Sequence, residues 1–273
     1  MINKVAIQGI KGSFHHLVTQ NYFVNPVEIE PLLTFNEVVD SLIKEKVDTA
    51  VMALENSIAG SIIPNYALID ANNLHITGEY YLDIQHNLMA LSGQDILDIK
   101  EVYSHPMALL QCQSFFDKYP HIKLVEDCDT AEVAQRIHKK QLKGVAAIAS
   151  SSAAEIYKLN ILAESIQTIK HNETRFVIVE RNENPSSTIN KASLKFMLNH
   201  KRGSLAAMLN VMSDCKLNLT KIQSLPKIDT PWKYAFFVDV TFDDYEDYEK
   251  ATAVMKIMAE EFKVLGTYKN AKQ

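Results

Sequence analysis

The sequence predicts an α/β protein with two lobes and a C-terminal ferredoxin-like module, and two observations predict this fold class. Over most of the chain, short β-branched runs alternate with amphipathic segments, the strand–turn–helix order of a doubly wound sheet. After a polar, proline-containing stretch from Asn182 to Ser187, which we interpret as a linker, the order becomes β-α-β-β-α-β. We therefore expect two α/β lobes with a cleft in residues 1–182 and a second domain in residues 190–270.

The first lobe is predicted from three pairs of strand and helix. Ser13 and Thr34 precede helical patterns as N-caps, and Gly60 with Ser61 is expected to open a third helix. The predicted elements are a strand at 5–8, a helix from 13, an extended segment at 26–33, a helix from 34, a strand at 48–54 and a helix from 60.

A strand-rich stretch from residue 74 to 91 is expected to cross between the lobes, after which the alternation resumes. The second lobe is predicted to contain strands at 101–103, 123–126 and 145–149 and helices at 107–119, 130–140 and from 150, before the strand that starts near Glu173. The C-terminal module is predicted as strand 192–198, helix 203–215, strands 218–224 and 233–242, a helix around 248–258 and strand 262–266.

The composition excludes several classes of protein. Apolar residues make up 47% and charged residues 22%, which is typical of globular proteins, and the net charge of -5 argues against nucleic-acid or membrane partners. Three cysteines without a CxxC pair argue against disulfides and zinc, and no phosphate-cofactor motif is present. The N-terminus enters a strand-like run without a signal peptide, so we expect a cytoplasmic protein that needs no metal or cofactor.

Polar side chains collect where predicted strands begin or end. Asn172, Thr174 and Arg175 stand at the start of an apolar strand, and the segment 55–57 follows one. Ligands of doubly wound sheets bind at strand ends, so these residues are candidates for a site that holds an anion. The alternative is structural, a turn with an N-cap and a solvated strand edge.

Helix starts are a second source of anion contacts in this acidic chain. Ser13, Ser57 and Ser150 are each expected to begin a helix, whose free backbone N–H groups bind anions without formal charge. Together the three could hold a dianion. His105 precedes Pro106 at another helix start, and its alternative role is structural. The remaining polar residues form no metal-ligand spacing.

The motifs QGIKGSFHH, ALENSIAGS, SHPMALLQC and NETRF, in this order, resemble those of the prephenate dehydratase family. The later motifs RGSLAAML, LNLTKIQSLP and WKYAFFVDV resemble the ACT domain fused to it. The resemblance implies a two-lobed periplasmic-binding-protein-like catalytic domain and an ACT regulatory domain. It implies conversion of prephenate to phenylpyruvate, with loss of water and carbon dioxide, in phenylalanine biosynthesis. It also implies feedback inhibition by phenylalanine.

The resemblance assigns roles residue by residue. Thr174 matches the essential threonine of the family and would donate a hydrogen bond to the departing hydroxyl. The implied catalytic residues are Thr174, Glu55, Asn56, Ser57 and His105. The implied substrate-binding residues are Ser13, Asn172, Arg175, Phe176, Gln111 and Ser150. Because aromatisation drives the elimination, the reaction would need no cofactor.

The ACT motifs imply a phenylalanine site and self-association into dimers or tetramers through paired sheets. The implied site residues are Gly203, Ser204, Leu205, Ala206, Asn218, Leu219, Ser224, Leu225 and Pro226. Gln223 and Leu225 replace a charged pair of the family, which puts regulation in doubt, and Ile10 replaces a proline. Two alternatives remain, an arogenate dehydratase and a non-catalytic amino-acid sensor. With no chorismate mutase bundle before Val5, we expect a monofunctional chain.

Overall fold

A computed structural model describes residues 3–184, 188–227 and 233–272, which form a mixed α/β structure of two units. One unit comprises Met1–Gly60 and Tyr81–Phe176, and it contains every predicted catalytic and substrate-binding residue. The other comprises Ser61–Tyr80 and Val177–Gln273. Residues 185–187 of the predicted linker and Trp232 of the last ACT-like motif lie outside the described residues.

The elements of the first part of the chain follow the predicted alternation. They are β1 (Lys4–Gln8), α1 (Phe14–Tyr22), β2 (Glu28–Leu32), α2 (Phe35–Ile43), β3 (Thr49–Asn56), β4 (Gly60–Ser61), α3 (Ile63–Ala71), β5 (His75–Asp83), β6 (Asn87–Ala90), a 3₁₀ turn (Ile96–Asp98), β7 (Glu101–Ser104), α4 (Pro106–Phe116), β8 (Lys123–Glu126), α5 (Thr130–Lys140), β9 (Val145–Ala149), α6 (Ser151–Ile156), β10 (Asn160–Ala163) and β11 (Glu173–Glu180).

The last part of the chain has the predicted order β-α-β-β-α-β. Its elements are β12 (Lys191–Met197), α7 (Ser204–Asp214), β13 (Asn218–Pro226), β14 (Tyr234–Thr241), α8 (Tyr245–Met258) and β15 (Glu261–Tyr268). The four strands form one antiparallel sheet in the order β13-β14-β12-β15, so β13 lies at an edge of the described sheet.

Two further sheets carry the α/β part. One has the order β2-β1-β3-β11-β5, with β4 paired to β3, and the other has the order β10-β6-β9-β7-β8. Strands β1 and β3 pair in parallel, and Val5–Ile7 and Ala50–Leu54 are buried on both faces. Continuous apolar runs of this kind are what a sheet covered by helices on both sides requires.

Local signals in the sequence explain the helix starts. Thr34 forms a capping box, in which its hydroxyl accepts a hydrogen bond from the backbone N–H of Glu37 and the Glu37 carboxylate accepts one from the N–H of Thr34. The stripe of Val38, Val39 and Leu42 is buried, as the helical spacing predicts.

Three predictions about elements are corrected by the structure. Gly60 and Ser61 form the short strand β4, and α3 begins at Ile63 with Pro64 in its first turn, where proline is favoured. Strand β3 extends through Asn56, because its end pairs with the neighbouring strand rather than with water. Strand β10 was not predicted, because its four residues follow a predicted helix with no glycine or proline to mark the boundary.

No helix within the three described ranges is long and apolar enough to cross a membrane. The cytoplasmic location stays a prediction.

Candidate active site

Strands β3 and β11 are neighbours in their sheet, and the end of one lies beside the start of the other. The backbone N–H of Ser57 donates to the carbonyl of Glu173 at 2.8 Å, and the Ser57 hydroxyl accepts from the N–H of Glu173 at 3.0 Å. These two bonds bring together the segments 55–57 and 172–176, which the sequence placed more than a hundred residues apart.

The Asn56 carboxamide makes the central contacts of the site. Its Nδ2 donates to Oγ1 of Thr174 at 2.9 Å and to Oδ1 of Asn172 at 2.7 Å. Its Oδ1 accepts from the backbone N–H groups of Ile58 and Ala59 at 3.0 and 2.8 Å. Because both ends of the amide are engaged, its orientation is fixed. Thr174 therefore accepts a bond, and among the described residues its own proton meets no acceptor.

The hydrogen bonds continue from Asn172 to Gln111 on helix α4 and then to His86, which directly precedes strand β6. Nδ2 of Asn172 donates to Oε1 of Gln111 at 2.8 Å, and this oxygen also lies 2.9 Å from Nε2 of His86. Asn172 is completely buried and Thr174 is 7% exposed. We call Thr174, Asn56, Asn172 and Gln111 the amide network. None of its amide or hydroxyl groups carries a formal charge.

A short backbone segment holds the far end of the network. The N–H of His86 donates to Oε1 of Gln167 at 3.0 Å, and the N–H of Ile166 donates to the carbonyl of His86 at 2.8 Å. The N–H of Thr168 donates to the carbonyl of Gln111 at 2.8 Å. Residues 166–168 therefore fix the positions of both His86 and Gln111.

A cavity of about 450 Å³ opens beside the network. Gln111 lies in its wall together with the partly exposed apolar side chains of Ile58, Met107 and Leu110. This volume lies within the usual range for small-molecule sites.

The predicted helix starts at Ser13 and Ser150 are confirmed, and they meet. The hydroxyl of Ser13 accepts from the N–H of His16, and that of Ser150 accepts from the N–H of Ala153. The Ser150 hydroxyl also donates to the carbonyl of Gly12 at 2.6 Å. The Ser150 hydroxyl thus both donates to and accepts from backbone groups, whereas the Ser13 hydroxyl only accepts, and a carboxylate there would also meet backbone N–H groups.

Gly12 allows this meeting of the two helix starts. Its φ of +91° is in the left-handed region, and a Cβ at this position would lie 3.0 Å from Cα of Ala153. A side chain would strain the turn and push the second helix away. The prediction of a third helix start at Ser57 is wrong, because that residue precedes the short strand β4. The helix-terminus argument for anion binding does not apply to it.

The residues beside Thr174 and Asn56 point elsewhere. Phe176 is buried, and its ring packs edge-on against His15 with centroids 4.9 Å apart. Phe176 is thus a core residue. Adjacent residues of a strand point to opposite faces, so Arg175, which is also buried, lies on the face opposite to Thr174. By the same alternation Glu55 lies opposite to Asn56.

His105 is exposed and caps α4, with its Nδ1 accepting from the N–H of Met107 at 3.2 Å. It lies near His86 and Asp129, and desolvation by burial raises the pKa of the Asp129 carboxyl. The pKa of His86 is lowered chiefly by burial, although the hydrogen bond to Gln111 opposes this shift.

His86 and Gln167 are residues of this site that the sequence reasoning missed. The only signal was the polar run from Gln85 to Asn87, which directly precedes the apolar residues 88–91 of the crossing segment.

The residues predicted to bind phenylalanine lie at three places. Gly203, with a φ of +83°, caps α7, and Ser204, Leu205 and Ala206 form its first turn. Asn218 and Leu219 begin β13, while Ser224, Leu225 and Pro226 end it. Six extended residues span roughly 20 Å, so one small ligand could not contact both ends of this strand in a single chain.

Among the described residues, no group of three or more His, Cys, Asp or Glu side chains is arranged to hold a metal ion.

Comparisons with known proteins agree with the family that the motifs suggested. The prephenate dehydratase family model matches residues 5–184. An Arabidopsis thaliana relative named arogenate dehydratase/prephenate dehydratase 2, chloroplastic, is 35% identical over 97% of this chain and 72% of its own length.

Two solved structures resemble the whole chain. One, described as GqqA, a novel type of quorum quenching acylase, has a TM-score of 0.89 at 25% identity and covers 98% of both chains. The other is prephenate dehydratase from Arthrobacter aurescens in complex with L-Phe, with a TM-score of 0.86 at 24% identity over 98% of this chain and 90% of its own. The predicted family, reaction and enzyme class are confirmed by the family match and the relative. The chain belongs to the prephenate dehydratase family, lyases that convert prephenate to phenylpyruvate in phenylalanine biosynthesis.

Proposed function

We propose that Thr174 donates the hydrogen bond that helps the ring hydroxyl of prephenate to leave, and that the amide network holds it in place. The hydrogen bond from Asn56 Nδ2 to Thr174 Oγ1 carries this proposal. It fixes the oxygen and leaves the hydroxyl proton for a ligand. It also draws electron density from that oxygen, which makes the proton a better donor.

The reaction needs little more than this. As the bond from the ring to the carboxyl carbon breaks, its electron pair enters the ring, and the ring C–O bond breaks to release the hydroxyl. The ring becomes aromatic, and carbon dioxide and water depart once the leaving hydroxyl gains a proton from the medium. A threonine hydroxyl is a weak acid, so Thr174 assists by hydrogen bonding and does not transfer its proton fully.

The neutrality of the network suits this elimination. Prephenate carries two carboxylates, and a cation beside the one that becomes carbon dioxide would stabilise the ground state more than the transition state. The backbone N–H groups at Ser13 and Ser150 would hold a carboxylate without a full charge. His105 keeps its predicted catalytic role in this proposal, whereas Glu55 and Arg175, on the strand faces opposite to Asn56 and Thr174, are not proposed to contact the substrate.

Replacing Thr174 tests the proposal directly. Thr174→Ala should lower kcat by roughly 10²–10⁴-fold, the usual value of a positioned proton donor, while Thr174→Ser should retain more activity. The measurement is phenylpyruvate absorbance in base. Thr19→Ala is the matched control, because Thr19 is a buried threonine whose hydroxyl donates to the carbonyl of His15. Wild-type turnover in Thr174→Ala would refute the assignment.

The preferred substrate separates two members of the same reaction class. Arogenate has an ammonium group where prephenate has a ketone, and the plant relative bears both activities in its name. We propose that prephenate is the preferred substrate, and the relative kcat/KM values on prephenate and arogenate test this. The acylase description of one similar structure suggests a third assay, hydrolysis of an N-acyl compound. Hydrolysis of an N-acyl compound would need a base beside Thr174 to take its proton. Within the described part of the chain, the partner of the Thr174 oxygen is instead a donor, the Asn56 amide.

We propose that residues 1–182 are the catalytic domain, with periplasmic-binding-protein-like lobes, and that residues 190–270 are an ACT domain that binds phenylalanine between two copies of the chain. Strand β13 supports self-association, because it is an edge strand with Ile222 43% exposed. The Arthrobacter protein was crystallised with L-Phe, which supports the ligand for this chain.

Phenylalanine titration tests the regulation. Inhibition and a thermal shift should appear in a chain that is dimeric or larger by light scattering. Leu225→Arg, which restores the family's charge, should bind phenylalanine more tightly than the wild type. If phenylalanine causes neither inhibition nor a thermal shift, the altered Gln223–Leu225 segment has lost the ligand.

A further inference from the structure

His86 is a buried histidine that the proposed mechanism does not use. It is 4% exposed, and its ring packs edge-on against Phe14 with centroids 5.7 Å apart. Its Nε2 lies 2.9 Å from Oε1 of Gln111, an atom that can only accept. Nε2 must therefore carry the proton. Within the described ranges, the buried Nδ1 has no hydrogen-bond partner, so it is the unprotonated nitrogen.

We propose that His86 is a positioning residue for Thr174 and acts through Gln111, Asn172 and Asn56. The inference rests on the proposed function of Thr174 and extends it to a residue four hydrogen bonds away. His86 itself touches neither the hydroxyl nor, in this proposal, the substrate.

The network needs an anchor at each end. At one end the backbone N–H groups of Ile58 and Ala59 fix the Asn56 carboxamide. At the other end Oε1 of Gln111 is held between two donors, Nδ2 of Asn172 and Nε2 of His86. A glutamine side chain has three rotatable bonds, so with one donor alone its oxygen would sample more positions.

A displacement of Gln111 would affect the Thr174 hydroxyl through Asn172. If Gln111 moves, Nδ2 of Asn172 loses its acceptor in a completely buried place, and the Asn172 amide shifts to recover one. Its Oδ1 then moves away from Nδ2 of Asn56, which also holds Oγ1 of Thr174. Small displacements of this kind lower kcat more than they raise KM, because alignment matters most in the transition state.

Two isosteric replacements separate a positioning role from a structural one. The Nε2 of Gln at position 86 would reach nearly as far as the imidazole Nε2, whereas the amide of Asn would reach only as far as Nδ1. His86→Gln should keep kcat within about threefold, and His86→Asn and His86→Phe should lower it on the order of tenfold with KM within twofold. His15→Phe is the matched control, since His15 is a buried histidine in edge-on contact with two aromatic rings.

A double-mutant cycle tests the route. In a Gln111→Met background, His86→Asn should cause no further loss of kcat, because His86 acts through Gln111. Equal kcat losses in His86→Gln and His86→Asn, or additive losses in the cycle, would overturn the inference. So would a loss of the same size in His15→Phe. Wild-type turnover in Thr174→Ala would instead refute the proposed function, so the two failures are distinguishable.

Discussion

Around Thr174 the buried polar side chains are joined through neutral amides, whereas in the unit of Ser61–Tyr80 and Val177–Gln273 buried polar side chains are joined through charges. In the first, Asn56 and Asn172 link a hydroxyl to further amides. In the second, Nζ of Lys191 lies 2.8 Å from the Glu79 carboxylate, with the side chains 4% and 0% exposed.

The difference follows from what each region must do. Neutral amides orient a hydroxyl without placing a charge beside a carboxylate that has to leave. A buried ion pair stabilises the fold only while both partners are present, because removing one leaves the other charge buried. In the charged unit Asp70 adds a second cluster, with Lys195 at 2.7 Å and Lys263 at 3.1 Å. These pairs hold the segment Ser61–Tyr80 to the antiparallel sheet of the same unit.

Breaking the buried ion pair should have the largest effect. Lys191→Met removes a buried cation that lies 2.8 Å from the Glu79 carboxylate, and we expect a loss of about 3–5 kcal/mol in the free energy of unfolding. Urea denaturation at neutral pH measures it. The double variant Lys191→Met/Glu79→Leu should recover most of the loss, because the carboxylate that faced Lys191 is removed together with it.

Lys44→Met is the control for this change. Lys44 pairs with Asp40 at 2.8 Å, but both side chains are about 60% exposed. An exposed pair of this kind is worth about 0.3–0.5 kcal/mol. If Lys191→Met cost no more than Lys44→Met, the contrast between the units would fail.

Placing a charge in the neutral network is the converse change. Asn56→Asp keeps the size of the side chain and can still accept from Ile58 and Ala59. It cannot donate to Thr174 or Asn172, and it adds a negative charge beside a dianionic substrate. We expect kcat to fall roughly 100-fold, as when an oriented hydrogen-bond donor is removed from an active site.

Asn72→Asp serves as the control for Asn56→Asp, since Asn72 makes one local bond, to the carbonyl of Leu68. Its kcat should stay within about twofold of the wild type. A charge at position 56 that left turnover unchanged would show that the amide network does not orient Thr174.

Local signals allowed much of the fold to be predicted. The caps at Ser13, Thr34 and Ser150 stand where the sequence placed them, because each acts over three residues of its own helix. The error at Gly60 and Ser61 has the opposite cause. Their strand exists only because β3 lies beside it, and pairing between segments leaves no periodic signal in two residues.

The candidate site shows the same limit. Thr174, Asn56, Asn172 and Gln111 were all named from the sequence, but not that their side chains bond to one another. Those bonds join residues 61–118 positions apart, and only the sheet order brings them together. His86 escaped notice for the same reason, since its partner is 25 residues away on another element.

His15 is a buried histidine in the unit that contains Thr174. Burial lowers the pKa of His15 to about 3, whereas an unfolded histidine has a pKa of about 6.5. Below pH 6.5 the unfolded chain therefore binds a proton that the native chain excludes. The stability due to the neutral ring is complete above that pH and falls by up to about 1.4 kcal/mol per pH unit as the pH decreases towards 3.

His15→Phe should remove this dependence while keeping the ring contacts with Phe35 and Phe176. Urea denaturation at pH 7.5, 6.5, 5.5 and 4.5 should show the variant gaining on the wild type at each step below 6.5. His200→Phe, at an exposed position, should show no such gain. Parallel curves for His15→Phe and the wild type would mean that the native unit accepts a charged imidazole. The preference for neutral groups seen around Thr174 would then not extend to the surroundings of His15.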